Sequence, residues 1–338
     1  MCVCCFLGAK YKRHANLTMP LLRRGKISKY FNLIVDCTDK LMLDRWRLSK
    51  KDHIHCDIVQ QCEHLLLILF GHIGFNYDLE MSIDNALTQA LHDYLAVFKT
   101  TLYMPQIMCK IYLKFNLKYR KAKLTIEQYL NRIIKQEQNG NSESIHDRTR
   151  TSLIDSLVHS IQKDEKIEAL KTEEEKKGLS HNEIIHEMLL LLVGGFETTS
   201  TALAWFIHLM SKNPHVQIKL KAELAENPYL VDQLDSLVYL DAVIREVLRF
   251  SAPSIAILRT LMKNDRLPAS GAQLYKGDQV TISTYNLHWD TRYWKIDPKL
   301  FCPERFLENS PDKNHHPCAF IPFGGGHRQC IGQDLNLK

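Results

Sequence analysis

Over about the first 250 residues, apolar positions recur at three- and four-residue intervals, the period of a helix with one buried face. Residues 26–47 show it through Ile27, Phe31, Leu33, Ile34, Leu41 and Leu43, and 58–70, 83–98 and 124–134 behave alike. The Gln-Asn-Gly-Asn-Ser-Glu-Ser run at 138–144 reads as a loop, and the charge-dense stretch 163–177 as an exposed connector. Ser180 followed by Glu183 forms a capping box ahead of an apolar run. The helix it opens continues to Lys212, where Asn213-Pro214 ends it. That is about 30 residues, or roughly 45 Å. Its first part, 184–193, is apolar on nearly all sides and predicts burial. Beyond Ser254 the texture changes. Residues 255–258 and 279–283, with a turn at Tyr275-Lys276-Gly277-Asp278, predict short strands. The pattern as a whole predicts a mainly α chain with a small β region.

Two local features stand out from that frame. The long helix carries Gly194-Gly195-Phe196-Glu197-Thr198-Thr199 in its middle. Each glycine weakens a helix by about 1 kcal/mol relative to Ala, so the pair predicts a local opening of the hydrogen-bond ladder beside an acid and two hydroxyls. Packing of the glycines against another element is the competing reading. Residues 241–249 form an amphipathic helix with Glu246 and Arg249 on one face. Alone, that is a surface pair worth a few tenths of a kcal/mol.

Composition narrows the classes. The chain has 338 residues, 45% hydrophobic and 24% charged, with a net charge of +6, ordinary values for a globular protein with a sizeable core. Its ten cysteines show neither a small-domain disulfide framework nor the paired CxxC motifs of a zinc site, and point to a reducing compartment. Cys2, Cys4 and Cys5 read as unremarkable rather than acylated. The longest apolar runs, 65–70 and 188–196, fall short of the ~20 residues of a span, so no anchor is predicted. Bases cluster at Lys10, Lys12, Arg13, Arg23, Arg24, Lys26 and Lys29, and again with aromatics between Tyr112 and Lys123. No nucleic-acid module surrounds either cluster, so nucleic acid is not predicted as a partner.

The chemistry concentrates at Phe320-Ile321-Pro322-Phe323-Gly324-Gly325-Gly326-His327-Arg328-Gln329-Cys330-Ile331-Gly332. A proline and three glycines make a tight turn, Cys330 lies at its exit, and a helix is predicted to begin after it. Unpaired N–H groups at a helix start lower a thiol pKa, and a fixed thiolate is a soft metal ligand able to hold haem iron. A phosphate loop fits worse, because no apolar strand precedes the glycines and no Gly-Lys-Ser/Thr follows.

This stretch resembles the haem-binding loop of the cytochrome P-450 family, with Phe323, Gly324, Gly326, Arg328, Cys330 and Gly332 filling every fixed position. The resemblance implies that fold over 1–338 as one haem domain, clearest over 179–332, with haem b held by Cys330 as axial iron ligand. Phe323 and Arg328 match the family's cofactor-binding positions, and Arg259 is a second candidate for a haem propionate. Glu197 and Thr198 match the acid–alcohol pair that relays protons. Leu190, Leu191, Phe196, Ile255, Ala256 and Ile257 match segments lining a substrate pocket. Glu246, Arg249 and Arg305 (in Phe301-Cys302-Pro303-Glu304-Arg305-Phe306) match a structural Glu–Arg–Arg network.

The implied reaction inserts one atom of dioxygen into an apolar organic substrate. Electrons derive from NADPH through a separate flavoprotein reductase, which is expected to dock on the bases of residues 10–29. The resemblance also implies a membrane surface as a second partner, on the cytosolic face of the endoplasmic reticulum. The chain departs from the pattern at Tyr11 and Ala15, where Trp and Arg are usual, and at Asn336, where a small Ala is usual. Both ends look short of the family's extent, so the alternative expectation is a truncated, catalytically impaired haem-binding relative.

Overall fold

A computed structural model describes residues 8–19, 30–43, 57–77, 79, 86–101, 104–140, 154, 157–158, 160, 170–176, 178–227 and 236–333. The chain divides into two compact units, Met1–Glu197 and Thr198–Lys338.

The first unit is helical. It contains α1 (Gly8–Thr18), α2 (Phe31–Leu41), α3 (Ile58–Phe75), α4 (Ala86–Thr101), α5 (Gln106–Phe115), α6 (Leu117–Gly140) and the first half of α7 (His181–Lys212). Its core is aliphatic, with Leu67, Leu91, Ile126, Ile134, Ile184 and Met188 fully buried. Such burial contributes roughly 1.5–3 kcal/mol per large side chain. The four helical patterns read from sequence all contain helix. The described part of the 26–47 pattern contains α2, which buries no residue, and the loop expected over 138–144 is helix as far as Gly140, with the rest outside the described residues.

The capping box forms as predicted. Ser180 Oγ accepts the Glu183 N–H at 3.3 Å, and Glu183 Oε2 accepts the Ser180 N–H at 3.0 Å. The predicted opening of the ladder does not form, since α7 is uninterrupted α-helix through the glycine pair. Among the described residues, α3 and α7 are long and apolar enough, by length and composition, to cross a membrane, although neither carries an unbroken apolar run of that length.

Helix α1 is tied to the start of α7 by a buried ionic cluster. Arg13 donates to Gly178 O at 2.6 Å, to Glu183 Oε1 at 2.9 Å and to Glu173 Oε2 at 2.9 Å. His14 is fully buried, with Nδ1 2.9 Å from Glu187 Oε1 and Nε2 3.3 Å from Glu183 Oε1. Burial pulls the imidazolium pKa of His14 down, but hydrogen bonds to Glu183 and Glu187 outweigh it and leave the value raised. For Glu183, burial favours the neutral acid, yet His14, Arg13 and the Ser180 N–H hold it far below the usual carboxylate range.

This geometry turns one of the bases expected on the reductase-docking face inward. Arg13 is turned inward and only 7% exposed, and Lys10 pairs with Glu183 at 3.2 Å. Lys12 is the exposed base among the described residues of 10–29, while Arg23, Arg24, Lys26 and Lys29 lie outside them.

The second unit holds the rest of α7, α8 (Pro214–Glu226), α9 (Val238–Phe250) and the β region. Pro214 fits the first turn of α8, where its missing N–H has no helical partner to lose. Leu209, Met210, Val216, Leu220, Val243 and Val247 form one buried cluster. Strands β1 (Ala256–Thr260) and β4 (Gln279–Ser283) pair antiparallel, with Ile257 opposite Ile282. β2 (Asp265–Arg266) and β3 (Gln273–Leu274) form a second small ladder. The Tyr275–Asp278 turn closes as predicted, through Asp278 N–H to Tyr275 O at 3.0 Å, with Gly277 at φ +97°. A one-turn helix, α10 (Thr284–His288), follows directly from β4.

Candidate functional site

The cysteine loop is held by its own backbone. Gly324 N–H donates to Ile321 O at 3.0 Å, Gln329 N–H to Gly326 O at 3.1 Å, and Cys330 N–H to Phe323 O at 2.8 Å. Gly324 (φ +75°) and Gly326 (φ +73°) occupy the left-handed region, which explains both glycines. A Cβ added at Gly325 or Gly326 would meet no atom within 4 Å, so this face of the loop is open. An open glycine face beside one soft sulfur donor fits a planar macrocycle ligated by a thiolate. Among the described residues no cluster of three or more His, Cys, Asp or Glu could form a protein-only metal centre.

Cys330 itself is solvent-exposed by residue surface, yet enough protein surrounds its sulfur for desolvation to act. That desolvation pushes the thiol pKa up, and the Gly332 N–H opposes it. A helix N-terminus predicts a lowered value, and burial overrides that here. Residues 331–332 form a turn with helical structure at Gln333, and the remainder of the expected helix, 334–338, lies outside the described residues. A coordinated metal ion reverses this balance, since a ligating thiol is deprotonated outright.

Around the loop, Phe323 and Arg328 are half-buried, and Ile257 Cδ1 lies 3.7 Å from where a Cβ on Gly324 would stand. Arg259 is exposed, and its Nη1 donates to Leu258 O at 2.9 Å. Ile255 is 65% exposed, while Ala256 and Ile257 are half-buried.

Glu246, Arg249 and Arg305 meet, and all three are buried. Arg249 Nε and Nη2 donate to the two Glu246 oxygens at 2.8 and 2.9 Å, and Arg305 Nε to Oε1 at 3.1 Å. Cys302 N–H also donates to Glu246 Oε1, at 2.8 Å. The spare guanidinium hydrogens satisfy carbonyls: Arg249 reaches His288 O and Pro298 O, and Arg305 reaches Ile296 O, Asp297 O and Leu300 O. The surface pair that α9 alone predicts is therefore corrected to the buried network that the resemblance implies.

Sequence reasoning missed its fourth member. Asp312, 1% exposed, accepts Arg305 Nη1 at 2.9 Å and the Lys295 N–H at 2.5 Å. Two anions thus face two cations, and a buried network is tolerable when every partner is present. Trp294 covers it, with the Arg305 and Arg249 guanidinium carbons 5.3 and 5.5 Å from its ring centre.

On α7, the two glycines have different reasons. A Cβ on Gly195 would sit 2.4 Å from Phe70 Cε2, so that glycine permits the close approach of α3. Gly194 meets nothing within 4 Å and is exposed, as is Thr198 one turn later. Glu197 is partly buried and receives a 2.5 Å hydrogen bond from Lys99 Nζ of α4, a partner that no local pattern announces. Leu191 and Phe196 are buried, and the Phe196 ring stands edge-on to His92 at 6.1 Å. Both serve the packing of the first unit, which leaves Leu190, half-buried, as the more open of the three expected wall residues on this helix.

The family model described as Cytochrome P450 matches residues 7–336. Cytochrome P450 4V2 of Rattus norvegicus is 39% identical over 169 residues, 48% of this chain and 31% of that protein. Probable cytochrome P450 4ac3 of Drosophila melanogaster is 32% identical over 78% of this chain and 52% of its own length. The chain thus spans from about a third to about half of these two relatives. A solved structure, retinoic acid bound cyanobacterial CYP120A1, superposes with a TM-score of 0.79 over 99% of this chain and 71% of its own, at 20% identity.

Proposed function

The chain belongs to the cytochrome P450 family, and from that premise we propose that it is a haem-dependent monooxygenase acting on an apolar organic substrate. The family uses haem b with electrons from NADPH passed through a reductase. The observation that carries the reading is the loop of Phe323 to Gly332, whose two left-handed glycines and open face leave Cys330 as its soft donor.

In this reading the Cys330 thiolate would hold the haem iron, Phe323 would border it, and Arg328 and Arg259 would neutralise the propionates. Bound haem supplies the oxygen chemistry, with one atom of dioxygen transferred to the substrate and the other leaving as water. The chain's own residues do the rest. Thr198, exposed on α7, and Glu197, partly buried with its carboxylate accepting from Lys99, hold and pass protons. Leu190, Ile255, Ala256 and Ile257 exclude water and orient the substrate. Glu246, Arg249 and Arg305 keep the cysteine-side unit folded and touch no reacting atom.

The whole chain, 1–338, acts as one haem domain whose electrons come from a flavoprotein reductase, at the cytosolic face of the endoplasmic reticulum membrane. The test is to combine haem-loaded chain, NADPH and a microsomal reductase with a panel of fatty-acid, sterol and aromatic substrates under isotopically labelled dioxygen. One labelled oxygen atom in a product supports the reading. NADPH consumption with label in water or peroxide alone, across the panel, contradicts it.

A further inference from the structure

His288, the last residue of α10, is fully buried. Its carbonyl accepts Arg249 Nη1 at 2.8 Å, and its ring Nε2 accepts the Ile321 N–H at 3.2 Å. The ring also lies 5.5 Å from the Phe320 ring. Ile321 O in turn accepts the Gly324 N–H at 3.0 Å, the bond that closes the first turn of the cysteine loop. One residue therefore takes the Glu246–Arg249 network on its backbone and the entry of the loop on its side chain.

The ring is built to accept. Nε2 faces an N–H donor, which places the ring proton on Nδ1 and makes the imidazole neutral. Burial favours that neutral form, and the Arg249 charge adds to it. Nδ1 is buried without a full hydrogen bond, although the backbone of Arg249 and Leu248 favours a proton there. A residue kept for volume alone would carry no such desolvated nitrogen, because Phe or Leu would fill the space.

We propose that His288 is a positioning residue for the cysteine loop: its ring acceptor fixes the Ile321 amide, and so the turn from which Cys330 is presented. The hydrogen bond stands by itself, whereas its consequence for the iron rests on the haem-thiolate reading above. The pair of variants that tests it is His288→Phe, which keeps a ring without an acceptor, and His288→Gln, whose Oε1 reaches toward the same N–H.

Hydrogen exchange at the Ile321 amide of the full chain reads the bond directly. The carbon monoxide difference spectrum of the reduced, haem-loaded chain reads its consequence. Exchange is expected to quicken at least tenfold in His288→Phe, and the share of the thiolate-type band to fall by half or more, with both near wild type in His288→Gln. His288→Met replaces the Phe variant should that fail to fold. Unchanged exchange, faster exchange with an unchanged band, or a Gln variant as defective as Phe each overturn the proposal. A wild-type chain without the thiolate-type band sinks the haem-thiolate reading and this consequence with it, while the exchange comparison still decides the bond.

Discussion

Replacing Glu246 by Gln keeps the shape of the side chain and removes one charge. In the native structure that carboxylate, 0% exposed, accepts from Arg249 Nε and Nη2, Arg305 Nε and the Cys302 N–H. Glu246 and Asp312 are the two anions facing the two guanidinium groups, so the substitution leaves one buried cation uncompensated. It also turns an amide NH2 toward a guanidinium donor. Breaking a buried pair from one side costs about 3–5 kcal/mol. No cavity is made, so we take about 4 kcal/mol, a large part of the 5–15 kcal/mol that holds a typical domain.

The control is Asp241→Asn on the same helix. Asp241 pairs with Arg245 at 2.8 Å, but the two side chains are 40% and 44% exposed. Screened pairs of that kind are worth a few tenths of a kcal/mol. Urea unfolding of both variants, followed by tryptophan fluorescence, provides the assay, since Trp294 lies over the network. A loss below about 1 kcal/mol for Glu246→Gln, or equal losses for the two variants, would refute the reasoning.

Three further outcomes follow from the same geometry. Gly195→Ala should destabilise by about 1–2 kcal/mol, because its Cβ would stand 2.4 Å from Phe70, whereas Gly194→Ala should stabilise by up to about 1 kcal/mol, having open space; equal signs in urea unfolding contradict this. Lys99→Met should change stability by less than about 1 kcal/mol despite the 2.5 Å contact, since the Lys99 and Glu197 side chains are 63% and 29% exposed.

Two buried histidines, His14 and His288, should shift stability in opposite senses with pH. His14 has a raised pKa, so its contribution is complete below its unfolded value of 6.5 and fades as pH rises through the folded value. His288, lowered to about 4, contributes fully above 6.5 and loses that contribution as pH falls toward 4. Urea midpoints across pH should therefore lose their alkaline decline in His14→Asn and part of their acid decline in His288→Gln; unchanged profiles contradict the assignment.

What the sequence revealed was mostly local. The Ser180–Glu183 cap, the end of α7 at Asn213-Pro214 and the turn at Gly277 each depend on residues a few positions apart, and each formed where the pattern placed it. The cysteine loop was legible for the same reason, as Gly324 and Gly326 are required by backbone angles within the loop. Features made by distant residues were not. Glu246 and Arg249 look like any solvated pair until Arg305 and Asp312 close over them. The glycine pair on α7 looked like a ladder opening, and only Phe70 from α3 shows that Gly195 is a packing contact. Lys99 could not be assigned to Glu197, because nothing within one helix marks a partner on another. Arg13 reads as a surface base, and only Glu183 on a distant helix shows that it turns inward.

The most direct test of the account is the ligand atom at Cys330. The haem-loaded wild-type chain, reduced under carbon monoxide, should give the red-shifted band of a thiolate-ligated iron, and Cys330→Ser should lose that band. A wild-type spectrum of the histidine-ligated kind, or a Cys330→Ser spectrum identical to wild type, would contradict it.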